Sequence, residues 1–138
     1  MSGLIEQIAI ALERNRIACA REGDGAIAVA PSSPSGFEVR ACANDKGGIV
    51  WLGGWHEHFD NEDLAIKCFL WGLTDKCRLK VVFRGQMDCA WITQFRREDD
   101  WRDDQAVGLL LFPFWRKKSV RYFQNAYSLS DPARCPQT

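Results

Sequence analysis

Along the chain, apolar and polar positions change period several times, and each change marks an element. Leu4, Ile5, Ile8, Ala9 and Leu12 recur at helical spacing. Ser2 is placed to cap the run, and Arg14, Arg16 and Arg21 lie where cations favour a helix C-terminus. This pattern predicts a helix over residues 3–21, ended by Gly23 and Gly25. Residues 26–30 read as a short strand stopped by the polar loop at 31–36, and Phe37, Val39 and Ala41 alternate with Glu38 and Arg40 as a half-buried strand does. Asn44-Asp45-Lys46-Gly47-Gly48 tolerates positive φ and predicts a hairpin into a third strand over 49–53, with Trp51 and Trp55 on one face.

Asp60 or Asn61 then caps a second helix, with Glu62 and Asp63 at its positive end and Leu64, Ala65, Cys68, Phe69 and Trp71 as its apolar stripe. Four further strand-like runs follow, at 79–84, 89–95, 107–112 and 120–127, and their short connections favour an antiparallel meander. The expected fold is α+β, in the order α-β-β-β-α-β-β-β-β. It is a mainly antiparallel sheet of about seven strands with two helices packed on one face. Residues 1–138 are expected to form one domain, with a loosely ordered tail from Ser128.

Strand parity sorts the loops to two ends. One end collects residues 55–59, the turn at 84–88 and the connection at 113–119, and is basic and aromatic. The other holds the acidic segment 96–105. Because 18 acidic side chains balance 18 basic ones, no uniform positive field is present, so charge-based recognition must be local and nucleic-acid binding is not expected. The apolar run at 106–115 is interrupted by Pro113 and is about half the roughly 20 residues a spanning helix needs; it is read as a core strand, and no membrane partner is expected. The start of the chain lacks a basic leader, and the six cysteines lie far apart without a CxxC pair, which together predict a cytoplasmic protein with reduced thiols.

Candidate chemistry is sparse. His56 and His58 sit one residue apart after a glycine pair and share a face if the segment is extended, which is a start on a metal site but supplies only two ligands. Neither glycine pair matches a phosphate-binding loop, and Gly53-Gly54 is read as a bulge device or a place where a ligand approaches the backbone. A cysteine nucleophile would need His56 or His58 as its base, yet Cys68 and Cys89 fall within buried patterns. Trp101, set among carboxylates, is either an interface anchor or folded back over the sheet.

No catalytic constellation, cofactor or metal is therefore assigned. The expected function is a small protein- or peptide-binding domain that forms a homodimer through an apolar sheet edge or face. Its recognition end is built from Trp55, His56, His58, Arg84, Trp115, Arg116, Lys117 and Lys118. The alternative is a small-ligand-binding protein or enzyme with an aromatic pocket, in which His56 and His58 act as acid, base or metal ligands.

Overall fold

The computed structural model describes residues 3–23 and 25–129. The first helix, α1 (Leu4–Arg14), buries Leu4, Ile5, Ile8 and Leu12, the stripe its spacing dictates. Ser2, expected as its cap, lies outside the described residues. Gly3 is the N-cap and offers no side chain, so the Leu4 N–H donates across to the Glu62 Oε2 of the second helix (2.9 Å). The helix stops seven residues before the expected Arg21. Arg16 adopts a left-handed φ of 57°, the Ile17 N–H donates to the Leu12 carbonyl and the Arg16 N–H to that of Glu13, which is a Schellman ending. Ile17 is thereby turned back into the core, and the freed segment forms an edge strand.

That strand, β1 (Ala20–Glu22), opens a five-stranded antiparallel meander with β2 (Ala26–Val29), β3 (Val39–Ala43), β4 (Gly48–Leu52) and β5 (Trp55–Phe59), in spatial order β1-β2-β3-β4-β5. Segment 55–59, expected as a loop, is a strand because Gly53-Gly54 forms a two-residue hairpin turn that pairs Leu52 with Trp55. Of the two glycines only Gly53 has positive φ (58°), the type II′ pattern. The pair is thus a turn rather than a bulge, and it sends Trp51 and Trp55 to opposite faces. Trp55 lies inside with Leu52, whereas Trp51 lies opposite His56 on the outer face.

The second helix, α2 (Glu62–Leu73), begins at Asn61, whose side chain accepts from the Asp63 and Leu64 N–H groups. It buries Ala65, Cys68, Phe69, Trp71 and Leu73, while Leu64 stays exposed. Both helices pack on the first sheet, and α2 also touches the second.

The second sheet holds β6 (Cys77–Arg84), β7 (Met87–Arg97), β8 (Asp100–Gly108) and β9 (Lys118–Phe123) in the order β8-β7-β6-β9, all pairs antiparallel. The expected single sheet of about seven strands is therefore two sheets of five and four strands, and the meander is broken because β9 pairs with β6 instead of β8. The acidic segment 96–105 is not an end loop. It is the tip and first half of a long β7–β8 hairpin, in which Arg97 faces Asp100 across a two-residue turn. A bulge sets Asp104 and Gln105 against Thr93, whose buried hydroxyl donates to the Gln105 carbonyl and accepts its N–H.

One contiguous apolar cluster runs from α1 through the inner face of the first sheet and α2 to Leu79 and Val81 on β6, with Trp91, Phe95, Val107 and Phe123 packed against it. At the seam the β4–β5 turn docks on the second sheet: a Cβ at Gly54 would overlap the Trp91 indole, so the missing side chain is what seats that ring. Beyond β9 the chain leaves the sheet instead of continuing to Tyr127. Residues 124–127 are stitched to the loop before β3, Gln124 N–H to the Ser35 carbonyl and Ala126 N–H to the Ser32 hydroxyl. Leu129 is partly buried against the core, so the tail expected from Ser128 is anchored at its start; residues 130–138 lie outside the described residues.

Candidate functional site: an apolar loop with a basic border

The break in the meander creates the site. Leaving β8 at one edge of the second sheet, the chain must reach the opposite edge, three inter-strand gaps of about 4.8 Å away, roughly 14 Å in all. The nine residues from Leu109 to Lys117 are able to span about 30 Å. The excess chain projects from the sheet around the β6–β7 turn. Its two ends are pinned, the Leu109 N–H donating to the Cys89 carbonyl (2.9 Å) and the Gly85 N–H to the Lys117 carbonyl (2.8 Å). Within the loop Phe114 N–H donates to the Phe112 carbonyl and Arg116 N–H to that of Pro113, so the backbone is folded on itself.

The side chains on this frame are apolar and in water. Leu110 is 98% exposed, Leu111 88%, Trp115 72% and Phe114 69%. Together with Met87, Phe112, Pro113 and Arg116 they line an open cleft of about 640 Å³. The reading of residues 106–115 as a core strand is thus overturned: the strand ends at Gly108, and the run beyond it carries the most exposed large hydrophobic side chains among the described residues. Nothing in its spacing separated the two outcomes, because a continuous apolar run has no period to show which face is buried.

Cations border the loop. Arg84, at the end of β6, donates to the Phe114 carbonyl (3.4 Å) and holds its guanidinium 5.8 Å from the Phe112 ring centre. Arg116 packs over Gly85, and Lys117 and Lys118 continue into β9, where Lys118 is paired with Arg84 in register. Asp88, exposed near the start of β7, is the carboxylate close by in sequence.

Of the eight residues assigned to the recognition end, Arg84, Trp115, Arg116, Lys117 and Lys118 do come together here. The other three do not. Trp55 is 1% exposed, packed inside the first sheet, and cannot touch a partner. Among the described residues its indole N–H has no hydrogen-bond partner. His56 and His58 are exposed on β5, an edge strand of the other sheet, where they share the outer face with ring centres 6.0 Å apart. Trp51 lies 6.4 Å from His56. Among the described residues no group of three His, Cys, Asp or Glu side chains is placed to hold a metal ion. Cys68 and Cys89 are buried, Cys89 directing its thiol to the Met87 carbonyl (3.3 Å).

Two other features have the outline of a site. A polar depression of about 500 Å³ lies between the β3–β4 turn and the start of α2, but its Asn44 and Asn61 side chains are spent on the local backbone. On the open face of the second sheet the Arg78 guanidinium lies between Trp101 (4.5 Å) and Tyr122 (4.2 Å) and donates to Gln94, which donates in turn to Asp103. Trp101 thus folds back over the sheet, one of the two outcomes its acidic surroundings allowed.

Comparison with family models, with curated proteins and with solved structures returned no match. Among the described residues no helix is long and apolar enough to cross a membrane.

Proposed function

We propose that this chain is a non-catalytic docking domain whose working element is the β8–β9 loop. The reading is supported chiefly by one observation: four large apolar side chains, Leu110, Leu111, Phe114 and Trp115, stand mostly in water on a loop whose two ends and whose 112–116 part are held by backbone hydrogen bonds. Apolar surface of this kind on a pinned frame costs solubility and contributes nothing to the fold, so its use is contact with something outside the chain. The preorganised backbone lowers the entropy lost on binding. The border of Arg84, Arg116, Lys117 and Lys118 favours a target that is negatively charged as well as apolar. Cytosolic residence and self-association, expected from the thiols and the sheet edges, remain part of this proposal.

The test compares the native chain with Leu110→Ser/Leu111→Ser on a phenyl matrix and in thermal unfolding. The reading expects strong retention of the native chain, early elution of the variant and an unchanged unfolding midpoint. A midpoint that drops by many degrees would mean that these leucines belong to the core, and the docking reading would be lost. Sedimentation velocity of both proteins over a wide concentration range reads whether the same loop carries a homodimer; a single monomeric species removes the dimer.

A further inference from the structure

The charge border and the layout of the loop carry the identification of its target further, on the footing of the docking reading above. We infer that the loop seats in the anionic face of a lipid bilayer, with the leucines and Phe114 entering the acyl boundary and the cations meeting phosphate and carboxylate headgroups.

Three observations support a lipid surface. The first is charge. In a chain of net charge zero, residues 105–129 contain no Asp or Glu and four cations, Arg116, Lys117, Lys118 and Arg121, with Arg84 added from β6. Polybasic segments next to an apolar element are what an anionic leaflet attracts, each cation close to the surface contributing roughly fivefold in partitioning. The second is order along the chain. Leu110 and Leu111, on the projecting part of the loop, precede Trp115, and Arg116-Lys117-Lys118 lead the chain back into the sheet, so apolar, amphipathic and cationic groups stand side by side on one loop, as insertion into a headgroup boundary needs.

The third is exposure. Leu110 and Leu111, at 98% and 88%, make almost no contact within the protein. A side chain projecting so fully requires a partner that closes around it, which acyl chains do without a shaped pocket. The run is about half the length of a spanning helix, which bears on crossing a bilayer and not on resting in its surface.

The experiment is flotation of the full chain with vesicles of phosphatidylcholine alone and of phosphatidylcholine with phosphatidylserine, at low and at high salt. The expected result is binding to the phosphatidylserine vesicles at low salt, weakened by high salt and much weaker on phosphatidylcholine. Leu110→Ser/Leu111→Ser abolishes it, and Arg116→Gln/Lys117→Gln/Lys118→Gln lowers it by on the order of 100-fold. Trp115 fluorescence, read as the difference from Trp115→Phe, is quenched by lipids brominated near the headgroup boundary. Absence of binding to phosphatidylserine vesicles at low salt overturns the inference. If the native chain is still retained on a phenyl matrix through the two leucines, the docking reading stands with a protein partner in place of lipid; if that retention is also absent, both fall.

Discussion

Asn125 is the residue whose replacement should harm this protein most for its size. Its side chain is fully buried, and every polar group on it is used. The Oδ1 accepts from the Ser32 and Phe37 N–H groups (3.2 Å each), and the Nδ2 donates to the Phe37 (2.9 Å) and Gly72 (3.1 Å) carbonyls. One amide thus fastens the chain just after β9 to the loop before β3 and to the last turn of α2, and so sets where β9 and the docking loop lie relative to the core. Asn125→Ala removes four bonds, each worth about 1 kcal/mol net, so the loss is about 4 kcal/mol. Main-chain groups left dry push it upward, and water entering the vacated space pulls it back. At roughly 3–5 °C per kcal/mol for a chain of this length, the thermal midpoint should fall by about 12–20 °C.

Asn125→Asp separates hydrogen bonding from packing. It conserves volume and the accepting oxygen, but turns a second oxygen toward the Phe37 and Gly72 carbonyls. A packing account expects almost no effect. The hydrogen-bond account expects a loss at neutral pH at least as large as that of Asn125→Ala, because a charge is buried against two acceptors. With burial and the two facing carbonyls outweighing the Ser32 and Phe37 N–H groups that still donate to Oδ1, the introduced carboxyl's pKa in the folded state lies above its unfolded value, so the folded state binds the extra proton. The variant's deficit is therefore full above the folded pKa and shrinks as the pH falls through it toward the unfolded value. Urea unfolding monitored by tryptophan fluorescence measures both variants. An Asn125→Asp protein within about 1 kcal/mol of the native chain at pH 7 would refute the reasoning.

Three other outcomes follow from the same geometry. Gly54→Ala pushes a methyl into the Trp91 indole at the seam between the sheets and should cost about 1–3 kcal/mol in urea unfolding; a neutral result would show that the ring can move aside at no cost. Arg78→Lys keeps the charge but loses the flat stack between Trp101 and Tyr122, with an expected loss of about 0.5–1 kcal/mol by the same assay, against none if the stack is incidental. His56→Ala/His58→Ala, on an open sheet face, should change stability by no more than about 0.5 kcal/mol, and elemental analysis of untagged native protein should find no stoichiometric metal; an ion lost with the histidines would restore the alternative reading of that strand.

Where the chain carries a period, the sequence was readable. The alternation from Phe37 to Ala41, the Asn-Asp-Lys-Gly-Gly turn and the Asn61 cap each state a local preference that the packing then uses, and the elements lie within a few residues of the expected bounds. What escaped has no local signature. The end of α1 depends on Arg16 accepting a left-handed φ so that Ile17 reaches the core, a choice made by burial and not by a glycine. The pairing of β9 with β6 is a long-range decision, and it occupies the edge of β6 that would otherwise be open to a strand of the first sheet. Asn125 sat inside an apparent strand, and its role exists only once three distant segments have met around it.

The same long-range decision explains why the candidate site was half legible. Composition found the cations and Trp115, because charge is visible without a fold. It misread the leucines beside them, because an apolar run signals burial unless something denies it a partner. Here the denial is topological. With β9 placed beside β6, the run from Leu109 onward has no strand to pair with and no core beneath it, since the inner face of the second sheet is already filled by Leu79, Val81 and Trp91. A segment that hydrophobicity alone would bury is held outside by the order of the strands. An apolar loop kept in water by the fold, with both ends pinned to the sheet, two backbone hydrogen bonds folding its 112–116 part and carboxylates nearly absent around it, is arranged for a surface that the chain does not itself contain.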